Sequence, residues 1–160
     1  MAPQRHRRTF GRATTTTPAT AVSDLDFARA LTLVERSVVS RLGEALKAEG
    51  ATLEEWRVLS FLGDGAGHAM TEIAEFALLS ALTLTKVVDR MVSLNLVLRR
   101  VDDADRRRVL VFASERGNEA LGRWTAAVEQ EQEGIVTALG GEEAALLRTL
   151  LQRAWRRLGS

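Results

Sequence analysis

The 160-residue chain has no cysteine and no tyrosine, and its only histidines are His6 and His68. The missing cysteine excludes disulfide bonds, thiol redox sensing and cysteine-ligated zinc. With so few histidines, we expect no metal site and no cofactor. The chain also lacks an apolar run near the roughly 20 residues that span a bilayer, and its start has no apolar signal region. We therefore expect a cytoplasmic protein that has no membrane partner.

Motifs that carry enzymatic chemistry are missing as well. The sequence contains no G-x-S-x-G segment and no phosphate-binding glycine loop. Its two carboxylate pairs, Glu54 with Glu55 and Glu142 with Glu143, fall in the first turns of expected helices, where the helix dipole favours acids. An enzyme is therefore not expected.

The net charge is only +1, but the basic residues are unevenly distributed. Between residues 86 and 108 there are seven basic residues against four acids. A local basic surface on a nearly neutral protein suits binding to a nucleic-acid duplex; a solvated charged face is the alternative. Residues 1–22 hold four arginines, no acid and no apolar periodicity, which predicts a disordered basic tail.

The first long helix is predicted over residues 23–50. Ser23 and Asp24 open it, with Asp26 in its first turn, and Gly50 ends it. Its apolar residues recur at spacings of three and four and form one stripe: Phe27, Leu31, Val34, Val38, Leu42 and Leu46.

Three shorter helices follow. Thr52 and Glu55 form a capping box, Thr71 caps a short helix, and Ser80 caps the next one only a few residues later. This brief connection is typical of a helix-turn-helix, whose second helix enters the major groove with its N-terminal half. The polar positions of that helix are Thr83, Thr85, Lys86 and Arg90. An ordinary amphipathic surface helix is the alternative.

Two strands are predicted next, over residues 97–101 and 109–113, because both runs are short and rich in apolar, β-branched residues. The segment between them reads Asp-Asp-Ala-Asp-Arg-Arg-Arg. Arginines at a hairpin tip suit a narrow minor groove, and a salt-bridged loop is the alternative. Helix, strand, charged loop and strand in this order indicate a winged helix with a two-stranded wing.

Two further helices close the chain, one from Ser114 to a break at Gly140 and one from Glu142 onward. Together with the first helix they carry more apolar surface than one small winged helix can cover, so a second copy of the chain is the simplest partner. We expect a mainly α (α+β) single domain over residues 23–160. Its DNA-binding lobe is predicted at 52–115 and its dimerisation helices at 23–50 and 116–160.

These segments resemble transcriptional regulators of the multiple-antibiotic-resistance regulator (MarR) family. The similarity rests on Lys86-Val-Val-Asp-Arg-Met91, Leu96-Val-Leu-Arg-Arg100 and, above all, Asp102-Asp-Ala-Asp-Arg-Arg-Arg-Val-Leu-Val111 followed by Ser114-Glu-Arg-Gly117. The resemblance implies a dimer of winged helices joined by the terminal helices.

By position, the resemblance also implies the DNA contacts. The recognition helix would contact DNA through Ser80, Ala81, Thr83, Thr85, Lys86 and Arg90, and the wing through Asp105, Arg106, Arg107 and Arg108. Arg107 would reach the minor groove and Asp105 would hold it. Ala81 and Leu82 stand where many family members have polar or basic residues. Asn95 replaces a common glycine and tolerates a left-handed conformation.

Family members commonly release DNA when a small aromatic or phenolic compound binds between the dimer helices and the winged helix. The pocket residues that the resemblance implies are Arg36, Val39, Trp56, Arg57, Ser60 and His68. Trp56 also fits a core position, and Arg57 a surface one. The expected function is a homodimeric repressor of a pseudo-palindromic double-stranded operator, released by such a ligand. The alternative is a winged helix that contacts proteins without specific DNA readout.

Overall fold

A computed structural model describes residues 26–159 of the chain. The elements in this part are α1 (Phe27–Ala48), α2 (Leu53–Leu62), β1 (His68–Ala69), α3 (Met70–Ala77), α4 (Ala81–Ser93), β2 (Val97–Val101), β3 (Val109–Ala113), α5 (Glu115–Leu139) and α6 (Gly141–Leu158). The predicted mainly helical winged helix is confirmed.

Helix α1 begins one residue after Asp26, whose carboxylate accepts hydrogen bonds from the N–H groups of Ala28 (2.8 Å) and Arg29 (3.1 Å). Asp26 is therefore the N-cap, and its predicted place inside the first turn is wrong. The predicted openers Ser23 and Asp24, like the predicted tail over residues 1–22, lie outside the described residues. The helix ends before Gly50, whose φ of 74° lies in the left-handed region that glycine adopts without steric cost.

The capping box that opens α2 is confirmed. Thr52 Oγ1 accepts from the N–H of Glu55 at 3.2 Å, and Glu55 Oε2 accepts from the N–H of Thr52 at 3.0 Å. The predicted cap Thr71 is wrong, because α3 begins at Met70. Strand β1 runs directly into this helix, whose N-cap Ala69 has no capping side chain, and the carboxylate of Glu72 accepts the N–H of Ala69 at 2.9 Å.

The sheet is antiparallel with the order β1-β3-β2. The predicted hairpin of β2 and β3 is confirmed, with Val97 opposite Ala113 and Val101 opposite Val109. A third strand that the sequence did not predict, β1, pairs with the other edge of β3. A two-residue strand is too short to show alternation in the sequence, and it forms only through pairing with residues more than 40 positions away.

One hydrophobic core lies under α4 and the sheet and continues to the end of α1 and the first half of α5. Its fully buried side chains include Leu46, Leu59, Leu62, Ile73, Leu84, Val88, Met91, Val111 and Val128. This core fixes the orientation of the helix and the hairpin that form the candidate site.

The terminal helices keep large apolar side chains in solvent. Of the predicted stripe of α1, Leu42 and Leu46 are buried, whereas Phe27, Leu31 and Val34 are exposed. The other exposed apolar side chains of these helices are Leu33, Leu139, Leu146, Leu150, Leu151, Trp155 and Leu158. In the described part of the chain, no helix is both long and apolar enough to cross a membrane.

Candidate nucleic-acid interface

Helix α4 lies at the surface with one face in the core. Ser80 is its N-cap as predicted, because its Oγ accepts the N–H of Thr83 at 3.2 Å. Leu84, Val88 and Met91 are buried. Since an α-helix turns by about 100° per residue, the face opposite these three contains Leu82, Lys86 and Asp89. All of that outward face is exposed.

The turn before α4 is compact because Leu78 adopts a left-handed conformation, with φ 57° and ψ 43°. The N–H of Leu79 then donates to the carbonyl of Ala74 at 3.0 Å, which closes the end of α3. Ala74 itself packs against the core. The turn therefore sets α3 and α4 close together and leaves the N-terminal end of α4 exposed.

The hydroxyl groups near the start of α4 already have partners within the helix. Ser80 Oγ and Thr83 Oγ1 are 2.8 Å apart, and Thr85 Oγ1 donates to the carbonyl of Ala81 at 2.8 Å. A hydroxyl has one proton to donate. Thr85 in this arrangement therefore offers a base edge only an acceptor.

Two charged residues of α4 are paired with neighbouring elements. Arg90 Nε lies 3.1 Å from Glu55 Oε1, and Asp89 Oδ1 lies 2.7 Å from Arg99 Nη2 on β2. The first pair joins α4 to α2, and the second joins its outward face to the wing. Lys86 has no ion-pair partner in the part of the chain that the structure describes. Lys86 is therefore the cation of α4 with the greatest freedom to reach a phosphate.

The buried carboxylate of Glu55 is a contribution that the sequence did not reveal. Its capping box was visible, but only 2% of the residue is exposed, and its pairing with Arg90 depends on how α2 and α4 pack. The predicted recognition residue Arg90 thus has an intramolecular partner, although 58% of its side chain remains exposed.

The hairpin tip is held by hydrogen bonds within the loop, two of them to aspartate side chains. Asp105 Oδ1 accepts the N–H of Arg107 at 3.0 Å, and the carbonyl of Asp105 accepts the N–H of Arg108 at 2.8 Å. Asp102 Oδ1 accepts the N–H of Ala104 at 2.9 Å. Asp105 therefore positions the backbone of Arg107, whose side chain extends into solvent beside the exposed Arg106.

Arg108 stands at the base of this tip. Its Nη2 lies 3.9 Å from Glu72 Oε1 on α3, and half of its side chain is exposed. At that distance and exposure the ion pair contributes little to stability. Arg108 therefore retains most of its freedom to turn toward a phosphate.

The end of α4 is clamped to the start of α5. Asn95 has φ 56°, the left-handed conformation expected for a substitute of glycine. Ser114 Oγ lies 2.6 Å from the carbonyl oxygen of Asn95 and accepts the N–H of Gly117 at 2.9 Å. Ser114 thus caps α5, as predicted, and ties the residues that follow α4 to the start of α5.

The six predicted pocket residues do not line one cavity. Arg36 and Val39 border a shallow depression that is lined by residues of α1 alone. Trp56 faces α5, where its Nε1 donates to Thr125 Oγ1 at 3.3 Å, and Ser60 Oγ donates to the carbonyl of Trp56 at 2.7 Å. The guanidinium of Arg57 reaches the carbonyl of Ala77 on α3, at 3.5 Å.

His68 belongs to a separate cluster at the edge of the sheet. Its ring is 4.4 Å from that of Phe61 between centroids, and its Nε2 lies 2.9 Å from Asp64 Oδ2. The N–H of Ala66 and the side chain of His68 together lower the pKa of Asp64 below 3.8. Among the described residues, no group of three or more His, Asp or Glu side chains is placed to hold a metal ion.

A cavity that the sequence did not predict lies between α1 and α5. Its volume is about 300 Å³, and its lining is largely apolar, with Arg41 and Ser37 as the polar members. The remaining lining residues are Leu33, Val34, Val38, Ile135, Ala138 and Leu139. These residues come from segments about 100 positions apart, so no local pattern could have joined them.

Comparison with known proteins gives matches in sequence and in fold. Residues 49–108 match the sequence profile described as "MarR family". The HTH-type transcriptional regulator FarR of Neisseria gonorrhoeae is 24% identical over 115 residues, which are 72% of this chain and 79% of FarR.

Two solved structures share the fold. The transcriptional repressor CouR bound to a 23-mer DNA duplex superposes with a TM-score of 0.75 at 21% identity, over 82% of this chain and 92% of CouR. Bordetella bronchiseptica BpsR, whose DNA binding is regulated by 6-hydroxynicotinic acid, superposes with a TM-score of 0.73 at 20% identity, over 80% of this chain and 91% of BpsR.

Proposed function

Since the chain belongs to the MarR family of DNA-binding transcriptional regulators, we propose that it is a homodimeric repressor of a pseudo-palindromic operator. We propose further that a small aromatic or phenolic ligand releases it from that operator. It acts in the cytoplasm, where the operator lies.

The exposed cations of α4 and the wing carry this proposal. Lys86 on the outward face of α4 and Arg106, Arg107 and Arg108 on the hairpin are all exposed. The Asp89–Arg99 pair holds the helix face beside the wing. A helix in the major groove and arginines at the adjacent minor groove form one continuous contact with a duplex. Ser80, Ala81, Thr83 and Thr85 at the start of α4 would lie nearest the base edges, with Arg90 at the flank.

The exposed apolar faces of the terminal helices support the homodimer. Trp155 and Leu158 on α6 are 72% and 80% exposed, and Phe27 on α1 is 74% exposed. Burying apolar surface in a second copy is the simplest way to remove it from water. Two-fold symmetry then sets two half-sites about one helical turn, ~34 Å, apart. Residues 23–50 and 116–160 would form this interface, and 52–115 the DNA-binding lobe.

The region between α1 and the lobe is the proposed effector site. Arg36, Val39, Trp56 and Ser60 are its candidate lining, with Arg57 and His68 toward α3, although the six residues do not share one cavity within a single chain. BpsR, which shares the fold, responds to a hydroxylated aromatic acid. Because a ligand that binds the native state raises its apparent stability, a thermal-shift screen of aromatic acids and phenols should identify the effector, and Arg36→Ala should reduce its shift.

The experiment for DNA binding uses the duplex upstream of the protein's own gene. Fluorescence anisotropy from about 50 to 200 mM salt should give log K that falls linearly with log salt, because phosphate contacts release counterions. Sedimentation should show two chains per duplex. Deletion of the gene should raise expression of a reporter driven by the bound region.

No duplex binding at about 50 mM salt would contradict the proposal. It would favour a winged helix that contacts proteins. Binding of one chain per duplex would contradict only the homodimer and leave DNA binding intact. A fall in reporter expression on deletion of the gene would identify an activator.

A further inference from the structure

We infer that Leu82 reads the C5-methyl group of thymine, so that each operator half-site contains a thymine opposite the N-terminal turn of α4. This inference rests on the proposed function, because it assumes that α4 enters the major groove. It assigns a specificity role to an exposed residue in the first turn of α4.

The position of Leu82 on the helix is the first support. It lies on the outward face, opposite the buried Leu84, Val88 and Met91, and 69% of it is exposed. It contributes little to the core, so packing does not account for a leucine at this place. It is also one position inside the helix start, in the half of a recognition helix that contacts base edges.

The state of the neighbouring polar groups is the second support. The hydroxyls of Ser80 and Thr83 are 2.8 Å apart, and Thr85 donates its proton to the carbonyl of Ala81. Ala81, also exposed, presents only a methyl group. The first turn of α4 thus offers a duplex few hydrogen-bond donors and a mainly apolar surface.

The charges of the helix lie farther along it. Lys86 comes one turn after Leu82, Asp89 is paired with Arg99, and Arg90 is paired with Glu55. Lys86 is placed to contact a phosphate, whereas Asp89 and Arg90 hold α4 to the neighbouring elements. These three residues are therefore less suited to contact base edges near the helix start. Leu82 is therefore the largest side chain available to reach into the groove at that point.

The major groove offers one apolar feature that matches such a surface. Thymine alone among the four bases carries a methyl group there, and an apolar side chain that reaches it recognises it by contact. A polar edge placed against Leu82 would lose water without gaining a hydrogen bond. Leu82 therefore favours thymine and disfavours the other bases.

The test removes only that methyl group. Operators are first selected from random duplexes with the full-length protein, and each thymine is then replaced by deoxyuridine, which keeps the base pairing and lacks the methyl. The loss of one buried methyl should weaken binding roughly 4-fold, and the same change in both half-sites roughly 15-fold.

The Leu82→Ala variant decides whether Leu82 is responsible. It should bind the thymine and deoxyuridine operators nearly equally, whereas a general effect of deoxyuridine on DNA shape would persist in the variant. Leu94→Ala, which shortens a partly exposed leucine at the other end of α4, is the matched control and should retain the wild-type response. Thermal unfolding confirms that both variants are folded.

Three results bear on the inference differently. Methyl sensitivity in the wild type that Leu82→Ala abolishes supports it. Equal binding of every deoxyuridine operator by the wild type, or the same loss in Leu82→Ala, overturns it while DNA binding stands. Recovery of no duplex at all in the selection overturns the proposed function, and this inference with it.

Discussion

Arg90 on α4 and Glu55 on α2 form an ion pair, 3.1 Å from Nε to Oε1, in which the two sides are unequally buried. The glutamate side chain is 3% exposed and the arginine side chain is 58% exposed. The carboxylate therefore depends on the arginine far more than the arginine depends on the carboxylate. Arg90 has a structural role in addition to its proposed place in the DNA interface.

Arg90→Ala should consequently lower stability. Removing the guanidinium leaves a buried carboxylate with only its capping hydrogen bond, which costs about 1–3 kcal/mol. Urea unfolding measures this loss. Adding Glu55→Gln to Arg90→Ala should recover part of it, because a buried neutral amide needs no counter-charge while it can still cap α2. Equal stability of Arg90→Ala and the wild type would contradict the structural role.

Gly117→Ala should disrupt the junction between the end of α4 and the start of α5. A methyl group at this position would collide with the carbonyl oxygen of Leu96 and lie 3.3 Å from Leu59 Cδ2. Both the backbone and the buried leucine resist displacement, so we expect a loss of about 1–3 kcal/mol in urea unfolding.

Gly122→Ala is the matched control on the same helix. A methyl group there meets nothing within 4 Å, and alanine is favoured over glycine inside a helix by roughly 0.5–1 kcal/mol. This variant should be more stable than the wild type. Equal effects of the two substitutions would show that the Gly117–Leu96 contact is unimportant.

Asp64 should contribute stability that depends on pH. The pKa of its carboxyl is lowered from 3.8 by the Ala66 N–H and by His68. A group with a lowered folded-state pKa stabilises the fold above its unfolded pKa, and this contribution disappears as the pH falls through the folded value. Asp64→Asn should therefore be less stable than the wild type at neutral pH.

The difference between the wild type and Asp64→Asn should shrink as the pH falls below 3.8. Asparagine keeps a side-chain oxygen that can accept the Ala66 N–H, so Asp64→Asn removes only the negative charge. Asp64→Ala removes both the charge and the acceptor. Urea unfolding across this pH range measures the effect. A difference that stays constant down to acid pH would show that the charge of Asp64 contributes nothing.

Local sequence patterns predicted most of the winged helix. The caps Thr52, Ser80 and Ser114 are confirmed, because each depends on a backbone N–H three residues away. The two hairpin strands are confirmed as well, and a short loop joins them. Asn95 was expected to tolerate a left-handed conformation and has one. Caps, hairpin strands and the Asn95 conformation can be predicted without knowing how distant parts of the chain pack.

Features that depend on distant residues were missed. Strand β1 exists only through its pairing with β3, and the Arg90–Glu55 pair only through the packing of α4 on α2. Three apolar residues of the predicted α1 stripe, Phe27, Leu31 and Val34, remain exposed. A periodic pattern predicts that a face will be buried, but it does not reveal whether the same chain or another one buries it.

Operator binding by Arg107→Ala is the most direct test of the central claim, which is that the hairpin tip and α4 together bind a DNA duplex. Arg107 is exposed and its backbone is fixed by Asp105, so the substitution should leave the fold intact. At matched salt the variant should lose about 1–3 kcal/mol of binding free energy. Arg123→Ala on α5 removes the same charge away from this surface and should bind like the wild type. Unchanged operator affinity of Arg107→Ala would contradict the account.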